Sequence, residues 1–158
     1  MTFEHFKKLV DMMFVPNEAG GVQQRYDSVD VRQLPPLVLA YIGDACWSFF
    51  IRKALIDTGI YNVQILNSLA SEIVSARWQS RILFEIRELL NERELKVAKR
   101  ARNTSSHVPK SATVEEYRES TAFEALLGYL YLSGQKQRLD FILEKSLKYV
   151  AGEISHEN

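Results

Sequence analysis

Residues 34–51 read LPPLVLAYIGDACWSFFI and residues 120–134 read STAFEALLGYLYLSG; each run holds one charged residue, Asp44 in the first and Glu124 in the second. Neither shows the alternation of a half-exposed strand. Pro35 and Pro36 suit a helix start, and Gly59 is a natural stop. A helix that is apolar nearly all round belongs in a core or at an interface. An ionised carboxylate set there without a partner costs several kcal/mol, on the order of a small domain's whole stability. Neither run supplies a basic neighbour. Two arrangements resolve the difficulty. A divalent cation can be shared by both acids, because hard cations favour carboxylate oxygen. Alternatively, hydroxyls such as those of Tyr117 and Thr121 satisfy each acid separately.

On a helical projection Leu37, Ala40, Ser48 and Ile51 share the face of Asp44, and Tyr117, Ser120, Thr121 and Gly128 share that of Glu124. Gly43 costs roughly 1 kcal/mol of helix propensity relative to Ala. Its presence, with Gly128 on the other helix, suggests that the two helices approach closely enough to share an ion.

Outward from these runs the chain reads as all-α, a helical bundle in one domain over residues 1–150. Phe3, Phe6, Leu9, Val10, Met13 and Phe14 make an apolar stripe, so an amphipathic helix is expected within residues 1–15. Residues 16–34, with Pro, Gly-Gly, Asn and two Asp, read as a long loop. The helix of Asp44 runs to about Asp57. Residues 63–76 and 75–90 read as helices meeting at a bend, residues 92–103 as a basic helix, and 104–113 (TSSHVPKSAT) as a polar loop. The last helices are expected at 114–133 and 135–150, leaving 151–158 as a short polar tail.

Composition narrows the classes. Twenty basic and twenty acidic residues give zero net charge, so any affinity for nucleic acid must come from a local patch. The single cysteine, Cys46, excludes an intramolecular disulfide and reads as a small core residue. With no apolar stretch of membrane-spanning length and no export signal, a cytoplasmic location is expected.

YIGDA at 41–45 and FEALLGYLYL at 123–132 resemble the two acidic motifs of the ribonuclease III catalytic domain, roughly E-x-x-E-[FY]-x-G-D-[AS] and D-x-[FV]-E-A-L-[IL]-G. Agreement extends through Val74-Ser75-Ala76-Arg77, Arg102-Asn103, Val108-Pro109-Lys110 and Tyr117-Arg118, covering about residues 30–150. Within that family the chain is similar to the Mini-ribonuclease III branch, which consists of the catalytic domain alone. The resemblance implies a ribonuclease III-type homodimer and an Mg²⁺-dependent endoribonuclease that cuts double-stranded RNA, leaving 5′-phosphate and 3′-hydroxyl ends. It also implies a substrate, the paired ends of large-subunit ribosomal RNA precursor. Asp44 and Glu124 match catalytic, metal-binding acids of the motifs. The remaining motif acids fall at Leu37, Ala40 and Thr121, a reduced set that the branch shares. Tyr41 stands where the family's aromatic inserts into the partner subunit, and Trp47, Phe49 and Phe50 beside it supply either interface or core.

With no second domain expected, RNA affinity falls to the bundle itself. Arg93, Lys96, Lys99, Arg100 and Asn103 share one face of the basic helix, while Val97, Ala98 and Ala101 face away. Such a stripe tracks phosphates; it is also what a merely solvated helix looks like. His107 and Lys110 in the following loop are candidates to reach the shallow minor groove of A-form RNA, and Arg77 and Arg81 extend the patch. Two other readings compete: a catalytically silent ribonuclease III-like module that binds structured RNA, and a metal-free all-α dimerisation module. Retention of both lone acids disfavours each.

Overall fold

Each run with a helical pattern is helical in the structure, a computed structural model that describes residues 1–13, 15–22, 30–104 and 112–156. The helices are Phe3–Met13 (α1), Pro36–Ile56 (α2), Val63–Ile73 (α3), Ala76–Ile86 (α4), Glu92–Arg102 (α5), Val114–Leu132 (α6) and Lys136–His156 (α7). Short 3-10 turns cover Val31–Gln33 and Arg87–Leu89. Among the described residues there is no strand, only an isolated bridge between Pro16 and Val22. The chain divides into two units, Met1–Asp30 and Val31–Asn158.

The first unit contains α1 and a turn in which the Asn17 side chain accepts from the Ala19 and Gly21 amides, a local alternative to regular structure that Asn favours. Phe14, expected on the apolar stripe, lies outside the described residues.

The second unit is the bundle. Its helix starts follow from local chemistry: Asn62 and Ser75 cap α3 and α4, and Asn91 with Glu94 and Thr113 with Glu116 form capping boxes for α5 and α6. Helix α6 lies at the centre, with Ser120–Leu130 buried apart from Glu124. Trp47 of α2 is fully buried, in an edge-to-face pair with Phe123 at a ring-centroid distance of 5.4 Å and stacked with Phe50 at 6.0 Å. Glu94 is buried too, but it is paired: Arg138 of α7 grips its carboxylate through two nitrogens at 2.8 Å and donates to the Leu89 carbonyl. Desolvation pushes the acid up, but its bonds to Arg138 and Asn91 outweigh this and hold it below the usual carboxylate range.

The expected polar tail proves to be helix through His156. Val150 is buried, and Glu153 pairs with Arg81 of α4 at 2.5 Å, which ties down the last turns. No helix among the described residues is long and apolar enough to cross a membrane.

Candidate active site

The two lone acids meet because two glycines let their helices touch. A Cβ on Gly43 would lie 1.7 Å from the carbonyl oxygen of Glu124, and one on Gly128 would lie 1.9 Å from that of Leu39. Only hydrogen fits at either position. Backbone contact at Gly43 and Glu124 brings Asp44, the next residue on α2, alongside Glu124 on α6. Both acids line one open cleft of about 450 Å³ between α2, α4 and α6.

Glu124 is half-buried in this cleft, and its carboxyl is pushed up to about 8. Desolvation is the main cause, the negative charge of Asp44 adds to it, and a hydrogen bond with Gln79 works in the opposite direction. The expectation that Asp44 is buried fails: the residue is exposed at the mouth of the cleft. The cause lies in α2, whose other face is taken up by the crossing with α6, so that Tyr41, Asp44 and Phe49 point outward. Tyr41 is 78% exposed and Phe49 72%, in contrast to their neighbours Trp47 and Phe50. Of the aromatic cluster, then, Trp47 and Phe50 are core and Phe49 is surface. Cys46 is half-buried, and burial pushes its thiol up.

Among the described residues, no basic side chain lines the cleft. Leu37, Ala40 and Thr121, which stand at the positions of the other motif acids, do line it. Ser48 and Ile51, expected on the face of Asp44, do not. Tyr117, Ser120 and Thr121 contribute the hydroxyl side of the wall, but the Ser120 and Thr121 hydroxyls donate to the Tyr117 carbonyl, each at 2.9 Å, rather than to Glu124. These two hydroxyls therefore do not satisfy the acid. Among the described residues no group of three or more acids, histidines or cysteines exists to hold a metal. The available donors are two carboxylates, one of them desolvated beside the other's charge. That set of hard oxygens with no competing cation fits a divalent ion that keeps much of its own water.

Sequence reasoning does not single out Gln79, which is buried at the cleft wall beside Glu124. A signal for it exists: Ile82, Leu83 and Ile86 place it on the apolar face of α4, where an amide is out of place.

The basic residues divide by environment. Arg93, Lys96, Lys99 and Asn103 are placed along or just beyond α5, and Ala98 and Ala101 face the core. Arg100, though exposed, donates to the carbonyls of Arg32 (2.7 Å) and Leu34, fixing the chain that leads into α2. Arg77 pairs with Glu72 at 3.1 Å, and Arg81 lies over the Trp78 ring while bound to Glu153. His107 and Lys110 lie outside the described residues.

Residues 37–135 match the ribonuclease III domain. The chain is 44% identical over 118 residues to Mini-ribonuclease 3 of Symbiobacterium thermophilum, covering 74% of this chain and 91% of that one. It is also 44% identical over 119 residues to Mini-ribonuclease 3 of Brevibacillus brevis, covering 75% and 89%. A crystal structure of a protein from Fusobacterium nucleatum superposes with a TM-score of 0.69 at 38% identity, covering 75% of this chain and 96% of the other. With the glycine crossing, the paired acids and these relatives in agreement, the chain belongs to the ribonuclease III family, within its Mini-ribonuclease 3 branch.

Proposed function

We propose that the protein is an Mg²⁺-dependent endoribonuclease acting on double-stranded RNA as a homodimer, and that it matures the paired ends of large-subunit ribosomal RNA precursor. The observation that carries the chemistry is the meeting of Asp44 and Glu124 in a cleft that no described basic side chain lines. Asp44 presents its carboxylate from the open mouth, and Glu124 presents its own from the desolvated wall. Bound between them, Mg²⁺ would supply Lewis-acid stabilisation of charge on the scissile phosphate and lower the pKa of the attacking water. Glu124 must give up a proton for this binding, so affinity for the ion rises with pH. Leu37 and Ala40 bring no further negative charge, which leaves the site open to a phosphodiester.

For substrate binding, Arg93, Lys96 and Lys99, with Asn103 beside them, offer a row suited to one phosphate backbone. The ion pairs of Arg77 and Arg81 and the carbonyl contacts of Arg100 make these three secondary contributors. His107 and Lys110 stay candidates for groove contacts. Dimerisation is supported by an uncovered apolar stripe on α2, where Val38, Tyr41, Phe49 and Ile56 are exposed. A two-fold pairing through such a stripe buries the same patch on both copies, and would put one cleft near each strand of a duplex, giving a staggered cut. A cytoplasmic location follows from this substrate.

The silent RNA-binding module is the second reading, and the substitutions at Leu37, Ala40 and Thr121 favour it. One experiment separates the two: purified protein incubated with a long RNA duplex and with single-stranded RNA, with Mg²⁺ or with EDTA. Cleavage of the duplex only, and only with Mg²⁺, is expected. Binding of the duplex without cleavage at any Mg²⁺ concentration would support the silent module.

A further inference from the structure

Gln79 is about 1% exposed, and its two ends are treated differently. Nε2 donates to the Val74 carbonyl at 3.0 Å, which fixes the amide's orientation because only the nitrogen end can donate there. Oε1 is buried and has no hydrogen-bond partner in the protein. Leaving such an acceptor unmade is costly, and an apolar side chain of equal volume avoids the cost. A buried carbonyl at a cleft wall, held beside Glu124, therefore points to a donor that arrives from outside the chain.

The chemistry of the site supplies one. Mg²⁺ demands near-octahedral oxygen coordination and gives up its waters reluctantly. Two protein carboxylates leave most of that shell to water, and each such water is a strong donor in need of an acceptor. Leu37 and Ala40, at the positions of two motif acids, have no side-chain acceptor to offer. The Ser120 and Thr121 hydroxyls, which donate to the Tyr117 carbonyl, already have a partner, whereas the Gln79 carbonyl has none. Gln79 brings a neutral acceptor from α4, a helix that carries none of the motif acids.

We propose that Gln79 is a positioning residue of the metal site: Nε2 anchors the amide to the turn between α3 and α4, and Oε1 accepts a hydrogen bond from a hydration water of the ion held by Asp44 and Glu124. The assignment rests on the metal reading of the two acids. It makes Gln79 a partial replacement for the motif acids that this chain lacks, one that adds no charge to the cleft.

The test is Mn²⁺ titrated into the RNA-free protein and followed by electron paramagnetic resonance, for wild type, Gln79→Leu, Gln79→Glu and Asp44→Asn. Loss of an outer-shell partner typically weakens metal affinity about 10–100-fold, so Gln79→Leu should bind Mn²⁺ at least about tenfold more weakly. Its thermal midpoint in EDTA should stay close to that of wild type, since relief of the unsatisfied buried acceptor offsets loss of the amide's bond to the Val74 carbonyl. Gln79→Glu restores an acceptor and should bind at least as tightly as wild type. In cleavage assays the Mg²⁺ requirement of Gln79→Leu should rise by the same factor, with a smaller effect on the rate at saturating Mg²⁺. If the Leu variant fails to fold, Gln79→Met serves in its place. Wild-type Mn²⁺ affinity in Gln79→Leu, with binding lost in Asp44→Asn, overturns the role of Gln79 alone. Absence of Mn²⁺ binding to the wild type, or undiminished binding to Asp44→Asn, overturns the metal site and this role together.

Discussion

Glu124→Gln should stabilise the metal-free protein, and by an amount that depends on pH. The native carboxyl is raised from 4.5 to about 8, mainly by desolvation and then by Asp44. A carboxyl raised in the folded state contributes stability that is complete below the unfolded value of 4.5 and is lost as pH rises through about 8. At about 1.36 kcal/mol per unit, the full shift corresponds to about 5 kcal/mol. The cleft is open to water on the Asp44 side, and this screening lowers the expected effect to about 2–3 kcal/mol. Glutamine keeps the volume and neutrality of the protonated acid without the titration. In EDTA the stability of wild type relative to the variant should therefore be highest near pH 5 and about 2–3 kcal/mol lower near pH 9. For a chain of this size that corresponds to roughly 5–10 °C in Tm. Urea unfolding followed by circular dichroism at several pH values measures it. Added Mg²⁺ should recover stability in wild type alone, since only a native state able to bind the ion gains from it. A difference between the two proteins that does not vary from pH 5 to pH 9 would refute the desolvated pair.

The crossing, the proposed interface and the proposed RNA surface each yield an expected outcome. Gly128→Ala and Gly43→Ala force a methyl group onto a facing carbonyl and should each cost about 3 kcal/mol or more of stability in urea unfolding; near wild-type midpoints would show that the crossing is looser than described. Tyr41→Ala should weaken the dimer by about 2 kcal/mol in sedimentation equilibrium, and a stable wild-type monomer at micromolar concentration would contradict the interface. Lys96→Gln with Lys99→Gln should weaken duplex binding and flatten its salt dependence by roughly 0.7–0.9 for each phosphate no longer neutralised. Unchanged affinity and slope would remove α5 from the RNA surface. Arg100 is left intact in this variant because its carbonyl contacts hold the approach to α2.

Much of the bundle is legible in the chain because its strongest signals are local. Apolar runs, capping residues and the two helical glycines mark α2, α6 and their crossing. What is not legible depends on which face a neighbour covers. Helix α2 is apolar nearly all round, so its periodicity alone does not say that Trp47 turns inward while Asp44 turns outward. Arg100 looks like its neighbours on the basic stripe, and only its bonds to residues 32 and 34, far away in sequence, set it apart. The continuation of α7 through His156 depends on a similarly distant pair, Arg81 with Glu153. Gln79 is legible in principle, as a polar residue on an apolar face. Its meaning comes only with Glu124 beside it.

The shared role of Asp44 and Glu124 is tested most directly by cleavage of an end-labelled RNA duplex in Mg²⁺, with duplex binding measured in parallel, for Asp44→Asn and Glu124→Gln. Each substitution removes one oxygen ligand and hardly changes volume, so cleavage should be abolished in both while duplex affinity and fold persist. If either variant cuts the duplex at a rate near that of wild type, the two acids do not jointly hold the catalytic ion.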